Sequence, residues 1–466
     1  MSGRGLGGRF GRGARLTRTS VRGVAGLATA KARQLAGGDD ASVAEFHQEM
    51  AGHLADVLGQ MKGAAMKLGQ IMSFVDLDLP PDIRTAYQSA LATLRDQAPA
   101  FDQDAIDQVV HEEYGAPPEA VFASWDPNPI AAASIGQVHA AKLDDGRDVV
   151  VKVQYPGVAE AVRADLRNAE AFAPIGKLFA PYLELEPLLD ELRERIGDEL
   201  DYQREAQYQH AFAQRYDGHP FIRVPHVIAD RCRARVLVSE RVHGRDFDRF
   251  VETASDEQRQ IAGETIFRYA FGSIGRFRLF NGDPHPGNYL IEEGGPAGLR
   301  VAFVDYGSVK LFSRERFELM QRVDSAVLRG DQDAFIAGMR DSGFIPPNAT
   351  IDEDRIYAWF GLFMRPVLDE QPFTFTPEFA TEVLVTQSDP RSPYWGVLRK
   401  LNLPPDYLLL NRIQLGINSV LARLQATNDW RAIRAEYVEL GAPATELGEL
   451  DARWWTRRRP EPDPPA

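Results

Sequence analysis

Apolar side chains recur at helical spacing over residues 41–77: Leu54, Val57, Leu58, Met61, Ala65, Leu68, Ile71 and Met72 lie close to a 3.6-residue period. Pro80 and Pro81 end that helix. Shorter helical patterns follow at 83–96 and 105–114. The period then changes. A short apolar strand is expected at 121–125, and a small-residue turn enters a strand over 130–140. Asp145-Gly146 signals a hairpin, and 147–153 is rich in valine. Helical patterns return at 158–173 and 184–216, strands at 221–228 and 235–240, and a long helix at 261–280. Residues 289–304 read as strand, hairpin, strand. The remainder to 440 is mostly helical, at 314–329, 332–341, 352–368, 377–386 and 407–425.

Composition narrows the class. The chain has 466 residues, 44% hydrophobic and 26% charged, as in ordinary globular proteins. Its net charge of -14 argues against nucleic acid as a partner. Cys232 is the single cysteine, so an internal disulfide is excluded and a reducing compartment is expected. No apolar run is long enough for a transmembrane helix, and no secretory signal is expected; the expected location is cytoplasmic, with peripheral membrane contact as an option. Residues 1–38 carry eight basic residues and no acidic one. They read as a solvated tail, with an arm for anionic membrane, carrying Leu16, Val24, Leu27 and Leu35 on one face, or a targeting segment as alternatives. Trp454-Trp455 and Arg457–Arg459 form an aromatic-basic cluster that reads as a solvated tail.

The chemistry concentrates at Asn281-Gly282-Asp283-Pro284-His285-Pro286-Gly287-Asn288 and Asp305-Tyr306-Gly307. Phosphoryl transfer needs one carboxylate to orient or deprotonate the acceptor, and an amide and a second carboxylate to hold Mg²⁺. Asp283, Asn288 and Asp305 supply that set. Upstream, Ala131, Ala132, Ala133 and Ser134 stand where a kinase has a glycine-rich phosphate loop; only Gly136 remains. Val138 follows as a nucleotide-pocket residue, and Lys152 sits inside the valine strand as the phosphate-contacting lysine. Its helix partner is Glu205, with Glu199 the other candidate. Main-chain groups from Glu240 to Val242 are placed at the adenine edge. His285 reads equally as a phosphate contact and as a turn residue. Helix 314–329 follows Asp305-Tyr306-Gly307 almost at once, leaving no room for a peptide-binding activation segment.

Lys67-Leu68-Gly69-Gln70, Ala131-Ala132-Ala133-Ser134, Val151-Lys152, Glu199-Leu200-Asp201, the Asp283–Asn288 loop and Asp305-Tyr306-Gly307 together resemble the UbiB/AarF atypical kinase-like family. The resemblance covers about residues 45–345. It implies an α+β, two-lobed protein-kinase-like fold with an amino-terminal helical extension and a helical carboxy-terminal region. The expected organisation is a basic flexible arm at 1–40, the extension at 41–116, lobes at 117–242 and 243–345, a helical region at 346–450 and a flexible tail at 451–466. It makes Lys67 and Gln70 gating residues, with Glu199 and Asp201 as their partners. It pairs Lys152 with Glu205, gives Mg²⁺ to Asn288 and Asp305, and puts Asp283 at the catalytic-base position. It implies ATP or ADP with Mg²⁺ and an atypical kinase or ATPase serving a quinone or lipid pathway, with quinone-biosynthesis proteins as partners. The alternatives are a nucleotide-binding regulatory module without turnover, and a protein kinase.

Overall fold

The computed structural model describes residues 103–133, 135–160, 190, 193, 197–388 and 392–458. Contacts divide the chain into one unit of residues 1–100 with 157–165 and another of 101–156 with 166–466; every element named below lies in the second.

Two helices, α1 (Gln103–Tyr114) and α2 (Pro118–Val121), precede β1 (Ser124–Ala133), β2 (Gly136–Lys142) and β3 (Asp148–Gln154). Then come α3 (Tyr202–Tyr216), β4 (Ile222–Arg223), β5 (Val236–Glu240), β6 (Arg245–Asp246), α4 (Phe247–Thr253) and α5 (Asp256–Phe277). The central loops are framed by β7 (Leu279–Asn281), β8 (Tyr289–Glu293), β9 (Leu299–Phe303) and β10 (Val309–Leu311). The rest is α6 (Arg314–Arg329), α7 (Gln332–Asp341), α8 (Glu353–Leu368), β11 (Phe373–Thr374), α9 (Pro377–Ser388), α10 (Trp395–Leu398), α11 (Pro405–Leu424), β12 (Thr427–Asn428), α12 (Trp430–Val438) and α13 (Glu446–Thr456).

The amino-terminal lobe is the antiparallel sheet β1-β2-β3-β5. Val149, Val151 and Val153 alternate inward along β3 and are fully buried, which is why a valine run forms this central strand. α1 buries Ile106, Val109 and Val110 on one helical face and packs against β3. Arg235 ties it down through Glu113 at 2.6 Å and Glu112 at 2.9 Å. The expected boundary at 116 therefore moves to 101, because this helix belongs to the sheet. Residues 118–121 are helical and β1 starts only at Ser124, so the apolar stretch at 121–125 is mostly not strand. The expected helix at 184–216 is interrupted at 200–201, where the Asp201 side chain caps α3 by accepting the Gln203 and Arg204 N–H groups.

The second lobe is built on α5. Ser255 and Gln258 form its capping box, and Arg278 ends it in the left-handed conformation. β7 leaves α5 directly and pairs with β10. A second sheet, β4-β9-β8-β6, lies beside it, with β4 parallel to β9; residues 221–228 thus join this lobe for two residues rather than forming a strand of the first.

The flexible tail expected from 451 is corrected by α13. Asp451 is 1% exposed and accepts hydrogen bonds from Arg276 at 2.6 Å and from the Trp455 indole at 2.9 Å. His219 Nδ1 accepts the Ile222 N–H at 3.1 Å, so its Nε2 carries the proton and donates to Asp451 at 2.9 Å. Burial lowers the His219 pKa, opposed by Asp451 and assisted by Arg276 and Arg458. Burial works to raise Asp451, but His219 and Arg276 outweigh it and hold it below the usual carboxylate range. Unfolded His219 takes up its proton near the ordinary value of about 6.5, whereas the folded ring stays neutral to lower pH. Stability contributed by this site is present above that value and falls as pH drops through it, by at most about 1.4 kcal/mol per pH unit. Urea midpoints followed by tryptophan fluorescence at pH 7.5, 6.5 and 5.5 should decline in wild type and decline less in His219→Gln. Parallel curves would remove His219 as the cause.

Candidate active site

Strand β3, helix α3 and the loops at the ends of β7, β8 and β9 bring the chemical residues together. Lys152 on β3 donates to Glu205 Oε1 at 2.7 Å and Oε2 at 3.0 Å, and to Asp305 Oδ2 at 3.2 Å. The lysine side chain is 14% exposed and that of Glu205 1%, so this is a desolvated ion pair and not a surface contact. Glu205 rather than Glu199 is the lysine's partner. Burial alone would lower the Lys152 pKa, but Asp305 and Glu205 hold it well above its ordinary value. One cation serves two carboxylates: burial raises Glu205, Asp305 raises it further, and Lys152 opposes them.

The loop after β7 is held by its own side chains. Asn288 Nδ2 donates to the Asp283 carbonyl at 3.0 Å and to Asp283 Oδ2 at 3.2 Å. Asn281 Oδ1 accepts the Asp283 N–H at 3.2 Å, while its Nδ2 donates to the Asp305 carbonyl. Asn281 thus joins the two motifs, a role the sequence reading missed; its position two residues before Asp283 was the available signal. His285 Nδ1 accepts the Gly287 N–H at 3.1 Å, so this histidine holds the turn at Pro286–Asn288. Asp305 Oδ1 accepts the Gly307 N–H at 3.0 Å. From β10 to α6 only Phe312 and Ser313 intervene, so the link is short, as the sequence implied. Beneath the loop, Gly416 of α11 meets Pro284 so closely that a Cβ there would lie 2.4 Å from the proline ring. The helical region therefore supports the loop directly, a contact for which the sequence carries no signal.

Above the site, Ala131, Ala132 and Ala133 are the last residues of β1, not a loop. They pair with Val138, Gln137 and Gly136. Alanine disfavours the positive-φ conformations open to glycine, which suits continued extended pairing up to the turn. Ala131 and Ala132 are exposed, and Ser134 lies outside the described residues. Val138 is paired with Lys152 across β2 and β3 and points to the same sheet face. At the end of β5 the Glu240 N–H donates to the His226 carbonyl, and the Glu240 carboxylate accepts from Arg223 at 3.0 Å and the His226 N–H at 3.1 Å. The Arg241 N–H donates to Asp148. The Glu240 and Arg241 N–H groups are thus already bonded within the protein. Glu199 lies at the Asp305-Tyr306-Gly307 turn, its Cγ 3.8 Å from a Cβ placed on Gly307. Asp201 is exposed and spends its carboxylate on the α3 cap. Lys67 and Gln70 lie outside the described residues.

A lysine on the interior strand β3 paired with a glutamate on α3, an Asp-x₄-Asn loop and a following Asp-x-Gly turn define a kinase-like fold. The ABC1 atypical kinase-like domain profile matches residues 93–338, just over half of the chain. The chain belongs to this family, the UbiB/AarF group of atypical kinase-like proteins. It is 31% identical over 326 residues to rat "Atypical kinase COQ8B, mitochondrial", covering 69% of this chain and 60% of that one. It is 32% identical over 295 residues to "Probable protein kinase UbiB" of Marinobacter nauticus, covering 62% and 53%. This chain therefore spans only about half to three fifths of these curated relatives. Among solved structures, the Rv3197–erythromycin complex from Mycobacterium tuberculosis matches with a TM-score of 0.59 and 30% identity, over 85% of this chain and 98% of that one.

Proposed function

We propose that the protein is an ATP-binding atypical kinase or ATPase that acts on or for a small lipophilic substrate of a quinone or lipid pathway, not on peptides. The observation that carries this reading is Lys152 held between Glu205 and Asp305, with α6 starting close behind that aspartate. The donor set fits Mg²⁺. Asp305 offers a carboxylate, and Asn288, its amide nitrogen turned to Asp283, offers its amide oxygen; hard oxygen ligands are what this cation takes. When bound, Mg²⁺ draws charge from the phosphoryl oxygens. Lys152 adds its ammonium at the phosphates, and the Glu205 carboxylate fixes where that ammonium points. Asp283 orients the acceptor and takes its proton. The Glu240 carbonyl and Val242 main chain hold the adenine edge, with Val138 and Ala131–Ser134 covering the nucleotide.

The neighbour solved with erythromycin supports a lipophilic rather than a peptide ligand. No helix of the described residues is long and apolar enough to cross a membrane. The basic residues 1–38 support peripheral contact with anionic lipid at the cytoplasmic face, and the relatives' naming supports quinone-biosynthesis proteins as partners. The family resemblance assigns Lys67, Gln70, Glu199 and Asp201 a gating role in this reading.

A second reading, a regulatory module without turnover, is favoured by the alanines that extend β1 in place of a glycine loop. Melting with Mg²⁺-ATP or Mg²⁺-ADP tests both: ligand at 100 times its dissociation constant adds about 2.7 kcal/mol. Hydrolysis is then measured with anionic liposomes and a phenolic quinone-precursor probe. Turnover that rises with lipid supports the enzyme, stabilisation without turnover the module, and no stabilisation overturns both. Labelled phosphate appearing on a second protein would instead establish a protein kinase.

A further inference from the structure

Period-2 alternation puts Gly136 and Val138 of β2 on the same sheet face as Lys152 and Gln154, their partners on β3. This is the face on which Lys152 meets Glu205 and Asp305. A side chain at Gly136 has no room there. Its Cβ would lie 2.3 Å from the Val153 carbonyl and 2.7 Å from the Tyr202 hydroxyl. Tyr202 opens α3 three residues before Glu205, so the two share a helix face. Its ring lies 5.1 Å from Lys152 Nζ, and the residue is 0% exposed. The hydroxyl is buried with no hydrogen-bond partner among the described residues. Burial pushes the phenol far above its ordinary range, so it keeps its proton and remains a donor. A buried donor that finds no acceptor among the described residues is costly unless a ligand supplies one.

We propose that the Tyr202 hydroxyl is a nucleotide-binding group, donating its hydrogen bond to a phosphoryl oxygen beside Lys152, near the start of β2. This rests on the reading of the cleft as a nucleotide site. Gly136, having no side chain, lets the hydroxyl approach the first residue of β2 closely. Tyr202 would also set selectivity, because nucleosides without phosphate gain nothing from it.

The test is Tyr202→Phe in the full chain, which keeps the ring and removes one oxygen. Affinity for ADP, ATP and adenosine is measured by calorimetry, with the ligand-free melting temperature as the folding control. The variant is expected to lose about tenfold in affinity for ADP and ATP, to bind adenosine unchanged, and to melt at or above the wild-type temperature. Equal losses for adenosine and ADP would reduce Tyr202 to a packing residue and overturn the proposal. So would unchanged ADP binding, while leaving the nucleotide reading intact. A wild-type chain that binds no nucleotide overturns both.

Discussion

Asp305→Asn lowers Mg²⁺-ATP turnover by about 10³-fold or more, the range set by losing a preorganised electrostatic partner of the transferring group. The change is nearly isosteric. The Asn oxygen can still accept the Gly307 N–H that Asp305 Oδ1 accepts now at 3.0 Å, so the turn should keep its shape. What disappears is the charge 3.2 Å from Lys152 and the carboxylate offered to the cation. Folding should survive, because Asp305 raises the buried Glu205 carboxyl by like-charge repulsion and its neutralisation leaves Lys152 with one close partner. A steady-state phosphate-release assay beside a melting curve separates these effects. Turnover within a few-fold of wild type would show that the hydrolysis comes from elsewhere. A melting temperature far below wild type would show that Asp305 is first a structural residue.

The chemical set was legible because its spacings are short and its residue types few. Asp283 and Asn288 share one loop, and Asp305 ends the next strand, so local sequence is enough to place them. Choosing Glu205 over Glu199 was a narrower matter. The two are six residues apart, and the Asp201 cap restarts the helix between them, turning Glu205 inward while Glu199 stays at the Gly307 turn. The alanine segment was read as a loop because glycine normally fills it, yet alanine favours extended pairing and lengthens β1. α12 lies in the region expected to be helical but was given no span of its own, and α13 runs six residues past the expected helical limit of 450. Their buried faces are mixed, with Trp430, Ile433 and Tyr437 on one and Gly448 and Asp451 on the other, and the second is polar enough to pass for a tail. What buries it is a partner more than 200 residues away, His219, which no local window contains. Tyr202 and Gly416 matter through close approach to Gly136 and Pro284, and close approach leaves no periodic trace.

Arg268→Ala should destabilise the protein by about 3–5 kcal/mol, the usual cost of removing one partner of a buried ion pair. Arg268 lies in α5 and is 1% exposed. Its Nε donates to Glu264 at 2.7 Å, Nη1 to Glu436 at 2.8 Å and the Tyr437 hydroxyl at 3.1 Å, and Nη2 to Glu436 at 2.9 Å and Thr445 at 3.0 Å. All five guanidinium donors are used, which a lysine with three cannot imitate. Removing the cation leaves Glu264 and Glu436 buried with no opposite charge between them, since their side chains are only 5% and 7% exposed. Arg268→Lys should therefore rescue little, whereas adding Glu264→Gln and Glu436→Gln to Arg268→Met should recover most of the loss. Denaturation midpoints of the four chains measure this, and a loss below about 1 kcal/mol for Arg268→Ala would show the cluster to be energetically idle. Limited proteolysis should cut first between α12 and α13, because Thr445, the α13 cap, loses its guanidinium partner. The consequence reaches the cleft. α5 carries β7 and the Asp283 loop on its end, and α11, which packs against α5, supports Pro284 from below. A carboxy-terminal region loosened from α5 would leave the Asp283 loop without its floor, so the Arg268 variants should lose turnover more than they lose nucleotide affinity.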